Sequence, residues 1–564
     1  MLSYIKKFLN TNLSFLIILI VVVFSLYGKA INFELTSLDD TTLIKDNISY
    51  ISNINNVPKL FIKSCFYSND HYYYRPILTL SFAVETILFG YNLKVYHLTN
   101  ILLFIILLYL SYIFFTYYLK TDKNVTKLII LLFSVHPVFS LVYVWIPARN
   151  DSLFAISVIL SLIALLNILK TNKFKYIIFF SSFFCFSLFL KESGIILPIA
   201  YGAFIWFFDY KITKKQIFIT LLLLLPFIII YVLLRKYSIP KTYIELNLIN
   251  IKTILTNIIN VILMYIEKLL YPNYIPVLVS KVNLTIITII TNIVFVLFFI
   301  IVYLKNILNR KIVIFSLFWF LLLLLPTFFV LDNQILFHRL LTPIIFLIYM
   351  LIIFVEHILN KYKRLSKYLI VIFIFIFTTL YYASFFQQNK YKNEKNFIIN
   401  SYLDSPYSLV TCNSMVMLYL KTGNIDKATE LMNYILQKKF TYGYLLNYAT
   451  LLCASGKFDK AEEICLKIEK DLKGRKVRKE MIYITLSEIY YMKKNYEKAY
   501  AYIQKAYKLK PYDTNLLKQF AKIAEKIGNI EQALGIYKNL LKIDRNNEEY
   551  KNKIYLLDKE PIKN

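Results

Sequence analysis

Between residues 13 and 386 one pattern recurs: runs of about 15 to 22 nearly uncharged apolar residues, close to the ~17–25 that a helix needs to cross hydrocarbon. A wholly soluble globular enzyme is excluded by this feature alone. From about residue 390 the pattern stops: charged residues return every few positions and no run is long enough to span a bilayer. The chain of 564 residues is therefore expected to hold a membrane body, 1–389, and a soluble body, 390–564.

The 65 Lys and Arg against 34 Asp and Glu give a net charge of +31, which in a soluble protein suggests nucleic acid. Here much of the excess sits in short connections between spans, where the positive-inside bias and anionic lipid account for it. Membrane lipid is the expected partner, and nucleic acid is not. The five cysteines, Cys65, Cys185, Cys412, Cys453 and Cys465, form no CxxC pair and no metal-ligand spacing. They read as small buried hydrophobes.

Eleven spans are expected, near 13–27, 97–118, 127–143, 152–169, 175–190, 194–208, 216–234, 284–304, 312–330, 340–358 and 368–386. Alternate short connections (Lys6 and Lys7, then 120–127, 170–175, 211–215, 305–311 and 361–367) carry eighteen Lys and Arg, while the opposite ones carry three, Arg149, Lys191 and Arg339. That asymmetry orients the N-terminus to the cytoplasm. An odd number of spans then places the C-terminal body outside, with two long loops, 28–96 and 235–283. Within the second loop, 253–271 is apolar but interrupted by Asn, Lys and Glu, and reads as a helix lying at the outer interface. Residues 13–27 also have the form of a signal peptide, although Gly28-Lys29-Ala30 is a poor cleavage site.

The soluble body repeats itself. Gly423-Asn-Ile-Asp-Lys-Ala428, Gly456-Lys-Phe-Asp-Lys-Ala461, Lys494-Asn-Tyr-Glu-Lys-Ala499 and Gly528-Asn-Ile-Glu-Gln-Ala533 recur at intervals of 33, 38 and 34 residues. This is the tetratricopeptide (TPR) period, with a four-residue insertion around Lys473-Gly-Arg-Lys-Val-Arg-Lys479. The third unit shows the pattern most fully, in Tyr483, Leu486, Tyr490, Ala499, Ile503, Ala506 and Pro511. About four stacked helical pairs follow, with a concave face that either binds a peptide or partner protein or serves as a rigid spacer. The expected fold is all-α: a polytopic helical bundle followed by an α-solenoid.

Ionisable groups at membrane depth are costly and usually functional. On the topology above, the unusual ones gather outside: Asp39, Asp40, Arg75, Glu85, His97, His136, Arg149, Asp151, Lys191, Glu192, His338 and Arg339. Each has two readings. The Asp39-Asp40 pair is a base or a divalent-ion ligand, or else a solvated turn. Arg75 before Pro76 clamps a phosphate, or else snorkels to headgroups. His136-Pro137 lines a cavity, or else marks an internally satisfied kink. Lys191-Glu192 reads as a two-residue ion pair in a tight turn that ends at Gly194.

Taken in order, Tyr74-Arg-Pro-Ile-Leu-Thr-Leu-Ser-Phe82, Leu88-Phe-Gly-Tyr-Asn92, Tyr96-His-Leu-Thr-Asn100, His136-Pro137 with Trp145 and Arg149-Asn-Asp151, and Lys191-Glu-Ser-Gly194 resemble the transmembrane and TPR-containing glycosyltransferases of the GT-C superfamily. The protein O-mannosyltransferases belong to the same wider class. Two departures stand out: Leu141 occupies a position where relatives often carry Glu, and His338-Arg339 stands where they often have Glu-Arg. The resemblance implies an extracytoplasmic hexosyltransferase that takes a sugar from a polyprenyl-phosphate donor and passes it to an acceptor, protein hydroxyls above all. Asp40 or Asp39 would be the catalytic base. Arg75, His136, Arg149, Lys191 and Arg339 would face the donor phosphate, supported by His97, Asp151, Glu192 and His338. The residues imply no definite cofactor, and a divalent metal stays open, since two carboxylates and a few histidines suffice for an ion without requiring one.

Three rivals are weighed against this. A GT-C enzyme acting on envelope lipid or polysaccharide is the nearest. A non-catalytic membrane scaffold displaying the repeats would not need the polar residues on one side. A transporter would show inverted repeats and Gly/Pro-broken helices, and the chain has only 10 Gly.

Overall fold

The computed structural model describes residues 11–36, 38–67, 73–171, 173–239, 251–279, 285–329, 335–362, 366–471, 479–543 and 547–559. Lys6, Lys7, Lys363, Arg364 and the insertion at 473–478 lie outside them. The described chain is all-α; its one β pairing is an isolated bridge between Val279 and Ile335.

Among the described residues seven helices are long and apolar enough to cross a membrane: Asn12–Asn32, Leu93–Tyr118, Ile146–Thr171, Lys214–Ser238, Ile286–Leu304, Arg310–Phe328 and Tyr368–Tyr391. The segments expected at 175–190 and 194–208 form the shorter apolar helices Phe174–Leu190 and Glu192–Phe207. The segment expected at 340–358 forms a helix over Ile345–Lys361. Capping chemistry sets several starts. Asp122 accepts from the Asn124 and Val125 N–H groups, and Thr213 with Gln216 forms a capping box. Along 214–238, 286–304 and 366–387 large side chains such as Leu221, Ile289 and Val371 stay more than half exposed. Such faces suit hydrocarbon rather than water.

The segment 127–143 is bent at the kink that His136-Pro137 offered: Lys123–Ser134 and Pro137–Val144 meet at 57°. Pro137 has no N–H to continue the ladder, and His136 adopts extended geometry (φ −75°, ψ 124°) and caps the following turn. The long connection 28–96 is not simply a loop, for it contains the apolar helix Pro76–Phe89 and several helices of three to five residues.

Two compact units form. The first comprises 1–36, 73–78 and 93–397; the second comprises 37–72, 79–92 and 398–564. The division differs from a single cut at 389/390 because parts of the 28–96 connection cluster with the repeats. In the second unit four helical pairs follow one another: Leu409–Lys421 with Ile425–Lys438, Tyr442–Ala454 with Phe458–Asp471, Lys479–Met492 with Tyr496–Leu509, and Thr514–Lys526 with Ile530–Ile543. A last helix, Glu548–Lys559, caps the series. Each pair turns in the same way. Asn424, Lys457, Asn495 and Asn529 donate their N–H across the turn to Tyr419, Leu452, Tyr490 and Ala524, each at 2.9 Å. The residue before each donor is left-handed: Gly423 at φ 75°, Gly456 at 74°, Gly528 at 80° and, without glycine's freedom, Lys494 at 60°. Ala428, Ala461, Ala499 and Ala533 are fully buried, so the small residues of the motif sit where paired helices approach.

Candidate active site

The site-bearing segments of the first unit are ends of helices. Trp145 leaves helical geometry, a short turn carries Pro147, and the Arg149–Thr171 helix begins with Arg-Asn-Asp. Asp151 in that first turn faces the positive end of the helix dipole. Lys191 follows the Phe174–Leu190 helix in extended backbone (φ −150°, ψ 138°), with its N–H donating to the Ser187 carbonyl at 3.1 Å. Extended neighbours point to opposite sides, which corrects the expectation of a Lys191-Glu192 ion pair. Lys191 Nζ instead donates to Asp151 Oδ1 at 2.6 Å. Glu192 Oε2 accepts from Arg75 Nε at 3.2 Å and Nη2 at 3.1 Å, and its Oε1 accepts the Tyr74 N–H at 3.2 Å. Gly194 closes the turn; a Cβ there would lie 3.0 Å from Leu188 Cα, Leu188 N and Ser187 O.

His338 completes this cluster. Its Nε2 lies 3.6 Å from Asp151 Oδ2, and its ring centroid lies 5.3 Å from that of Trp145. Burial lowers the imidazole to about 3 although the Asp151 carboxylate pulls the other way, so the ring is neutral. Trp145 Nε1 and His338 Nδ1, and, next to Asp151 in sequence, both side-chain ends of Asn150 and Ser152 Oγ are buried without a hydrogen-bond partner among the described residues. Orphaned polar atoms cost about 1–3 kcal/mol each and mark places where water or a ligand is expected. The helices that carry Asp151 and Lys191 also line a largely apolar groove of about 200 Å3, formed by Leu153, Ile156, Ser157, Leu160, Ser182, Phe183 and Phe186.

Other expected site residues are placed differently. Arg149 is fully buried, with Nε donating to Asn100 Oδ1 at 3.0 Å and Nη2 to the Tyr96 carbonyl at 2.9 Å. Asn100 in turn donates to the carbonyls of Trp145 and Ile146 at 3.0 and 3.1 Å, so Arg149 braces the broken helix start. His136 uses both ring nitrogens in the kink: Nδ1 accepts from the Val138 N–H and Nε2 lies 3.2 Å from the Leu269 carbonyl. Both side chains are thus engaged with backbone and amide groups of the broken helices. His97 is buried beside Phe33, with ring centroids 6.5 Å apart. Arg339 is half-buried in the short turn Phe337–Leu340. Asp39 and Asp40 belong to the second unit and open the five-residue helix Asp39–Leu43. There Asp40 is 1% exposed, its Oδ1 accepting the Thr41 N–H at 3.1 Å, whereas Asp39 is half-buried. Among the described residues no three His, Cys, Asp or Glu side chains gather as a metal site. All five cysteines are buried free thiols.

The helix expected at 253–271 forms as Ile251–Leu270, and its end carries two residues to which sequence reasoning gave no role. Tyr265 there donates to the Leu336 carbonyl at 3.1 Å and steadies the turn that carries His338 and Arg339. Glu267 next to it is buried, accepting from Lys268 and from Thr288 Oγ1, both at 2.6 Å. The signal was an acid inside an apolar run.

No curated protein matches the chain. The family model for the tetratricopeptide repeat matches residues 490–554, from the end of the Lys479–Met492 helix through the fourth helical pair and into the last helix, and with the apolar helices this makes the chain an all-α protein with candidate membrane spans and a C-terminal TPR region.

Proposed function

We propose that the chain is an integral-membrane glycosyltransferase of GT-C type. It moves a hexose from a polyprenyl-phosphate donor to an extracytoplasmic acceptor, protein hydroxyls above all. The observation that carries this reading is the gathering of Arg75, Glu192, Lys191, Asp151 and His338 from four separate segments, with the orphaned His338 Nδ1 and Trp145 Nε1 in the same cluster. An ammonium has three donors, so Lys191 can hold the Asp151 carboxylate and still meet a phosphate oxygen. The apolar groove between the helices bearing Asp151 and Lys191 has the chemistry for an isoprenoid chain.

In this reading the acceptor oxygen bonds to the anomeric carbon as the bond from that carbon to the phosphate oxygen breaks. The hydroxyl proton goes to Asp40 or Asp39, and the polyprenyl phosphate leaves with the bonding pair. Arg75, Lys191 and Arg339 stabilise the charge it gains. A single displacement inverts the anomeric centre. The resemblance of the motifs supports the choice of reaction, and the cluster of Arg75 and Lys191 supports an anionic ligand.

One observation favours a second reading, a membrane-anchored TPR scaffold without chemistry. The carboxylates of Glu192 and Asp151 already face cations, as in a purely structural ion-pair network. Glycan and intact-mass profiles of envelope proteins and envelope lipids, with and without the gene, separate the cases. Loss of a hexose from proteins supports the proposal, and loss from lipids alone moves the acceptor class. Unchanged profiles in both pools leave the scaffold.

A further inference from the structure

The acid pair sits on a helix too short to hold itself. Asp39–Leu43 has five residues and the next α-helix, Ile48–Ile51, four, whereas isolated helices below about 12–15 residues are marginal in water. What fixes this segment is the repeat array. Ser49 Oγ donates to the Tyr512 carbonyl at 2.7 Å, Thr514 Oγ1 donates to the Lys45 carbonyl at 2.9 Å, and Asn515 Nδ2 donates to Asp46 Oδ1 at 3.0 Å. The ring of Tyr50, 2% exposed, meets that of Tyr512 edge-on at 4.9 Å, and Lys63 Nζ lies 4.4 Å from the Tyr50 centroid. The hold passes back to the acids through Asn47, whose Nδ2 donates to the Thr42 carbonyl at 2.7 Å, and through the Ile44 N–H on the Asp40 carbonyl at 3.1 Å.

We infer that the turn 511–515, between the third and fourth repeats, is an intramolecular docking site for the chain's own segment 45–51, through which the repeats position the acid pair. The functional half of this rests on the transferase reading, in which that pair is the base. The repeats are then part of the machinery that places a proton acceptor, and not only a surface for an outside partner. Residues 511–515 are positioning residues: they touch the segment, not the substrate.

The test uses the full chain in nanodiscs and compares wild type, Tyr512→Ala/Asn515→Ala, and Tyr512→Phe, which keeps the ring. Amide hydrogen exchange reads docking directly, and release of hexose from a panel of polyprenyl-phosphate hexoses reads turnover. In the double variant, exchange over 39–51 is expected to rise about 10- to 100-fold, the worth of a hydrogen bond and an aromatic contact. Helices 479–509 should remain protected, and kcat should fall while KM for the donor holds. Tyr512→Phe should match wild type. Unchanged exchange over 39–51 overturns the docking. Raised exchange with normal kcat overturns the positioning. Should wild type release no hexose from any donor, the transferase reading and the positioning claim fail together, while the exchange data still decide the docking.

Discussion

Gly194 is the residue whose loss tests the candidate site's architecture most sharply. Its backbone is not left-handed, so no torsional argument requires glycine. The reason is room: an added Cβ would meet Leu188 Cα, Leu188 N and Ser187 O at 3.0 Å, all of them backbone atoms that cannot rotate away. Overpacking of this kind costs about 1–3 kcal/mol. The turn that must shift carries Lys191 and Glu192, whose contacts to Asp151 and Arg75 are 2.6 and 3.1 Å. Gly194→Ala should therefore lower the apparent melting temperature in nanodiscs by a few degrees and reduce hexose release. Gly202 provides the control, for it lies in the Leu197–Phe207 helix with nothing within 4 Å of its virtual Cβ. Gly202→Ala should be neutral or stabilise by about 0.5–1 kcal/mol through helix propensity. If the two variants melt alike and both keep full turnover, the close approach at Gly194 does not hold the cluster together.

In the repeats, Lys494 occupies a left-handed position at φ 60°, which costs an ordinary side chain about 1–2 kcal/mol. Lys494→Gly should give a net gain of about 0.5–1 kcal/mol after glycine's extra chain entropy, seen as slower exchange of helices 479–509, and Lys494→Ala should gain nothing. Asp151→Asn removes the partner of Lys191, whose side chain is 17% exposed, and should destabilise by about 3–5 kcal/mol in thermal assays. Adding Lys191→Met should recover part of that loss, and a double variant no better than the single would contradict the pairing. Burial and the neighbouring Asp513 carboxylate raise Asp46 from 3.8 to about 6, against the pull of Lys45 and Lys510. A raised carboxylate favours the docked state below the ordinary value and loses that contribution as pH climbs through about 6. Protection of 44–52, corrected for intrinsic exchange, should be higher at pH 5 than at pH 7.5, and Asp46→Asn should flatten the difference.

The architecture was legible because periodicity carries it. Apolar runs marked where helices form, and the Gly-x-x-x-x-Ala signature marked four turns whose left-handed residues and buried alanines now explain it, Lys494 included. The site was legible only as a set of residue types. Sequence adjacency suggested that Lys191 pairs with Glu192, but extended backbone sends the two side chains to partners 40 and 117 residues away. His136 was open to two readings, cavity or satisfied kink, and its ring contacts lie in the kink. For Arg149 nothing in the sequence signals its contacts to Asn100 and Tyr96. Tyr265 was given no role because its partner, the Leu336 carbonyl beside the turn at 337–340, lies 71 residues away, and Glu267 was seen as an interruption without its partner Thr288. The docking of 45–51 on 511–515 joins residues more than 460 apart and has no signature in either segment.

The central claim is that Asp39-Asp40 supplies the base for hexosyl transfer from a polyprenyl-phosphate donor. The direct measurement is label transfer from a radiolabelled polyprenyl-phosphate hexose to extracted envelope acceptor, by wild type and by the Asp39→Asn/Asp40→Asn variant, at equal amounts of folded protein in nanodiscs. The account predicts measurable transfer by wild type and a fall of about 10²–10⁴ in the variant, the usual worth of general-base catalysis, with donor binding retained. Transfer by the variant at near the wild-type rate would contradict it.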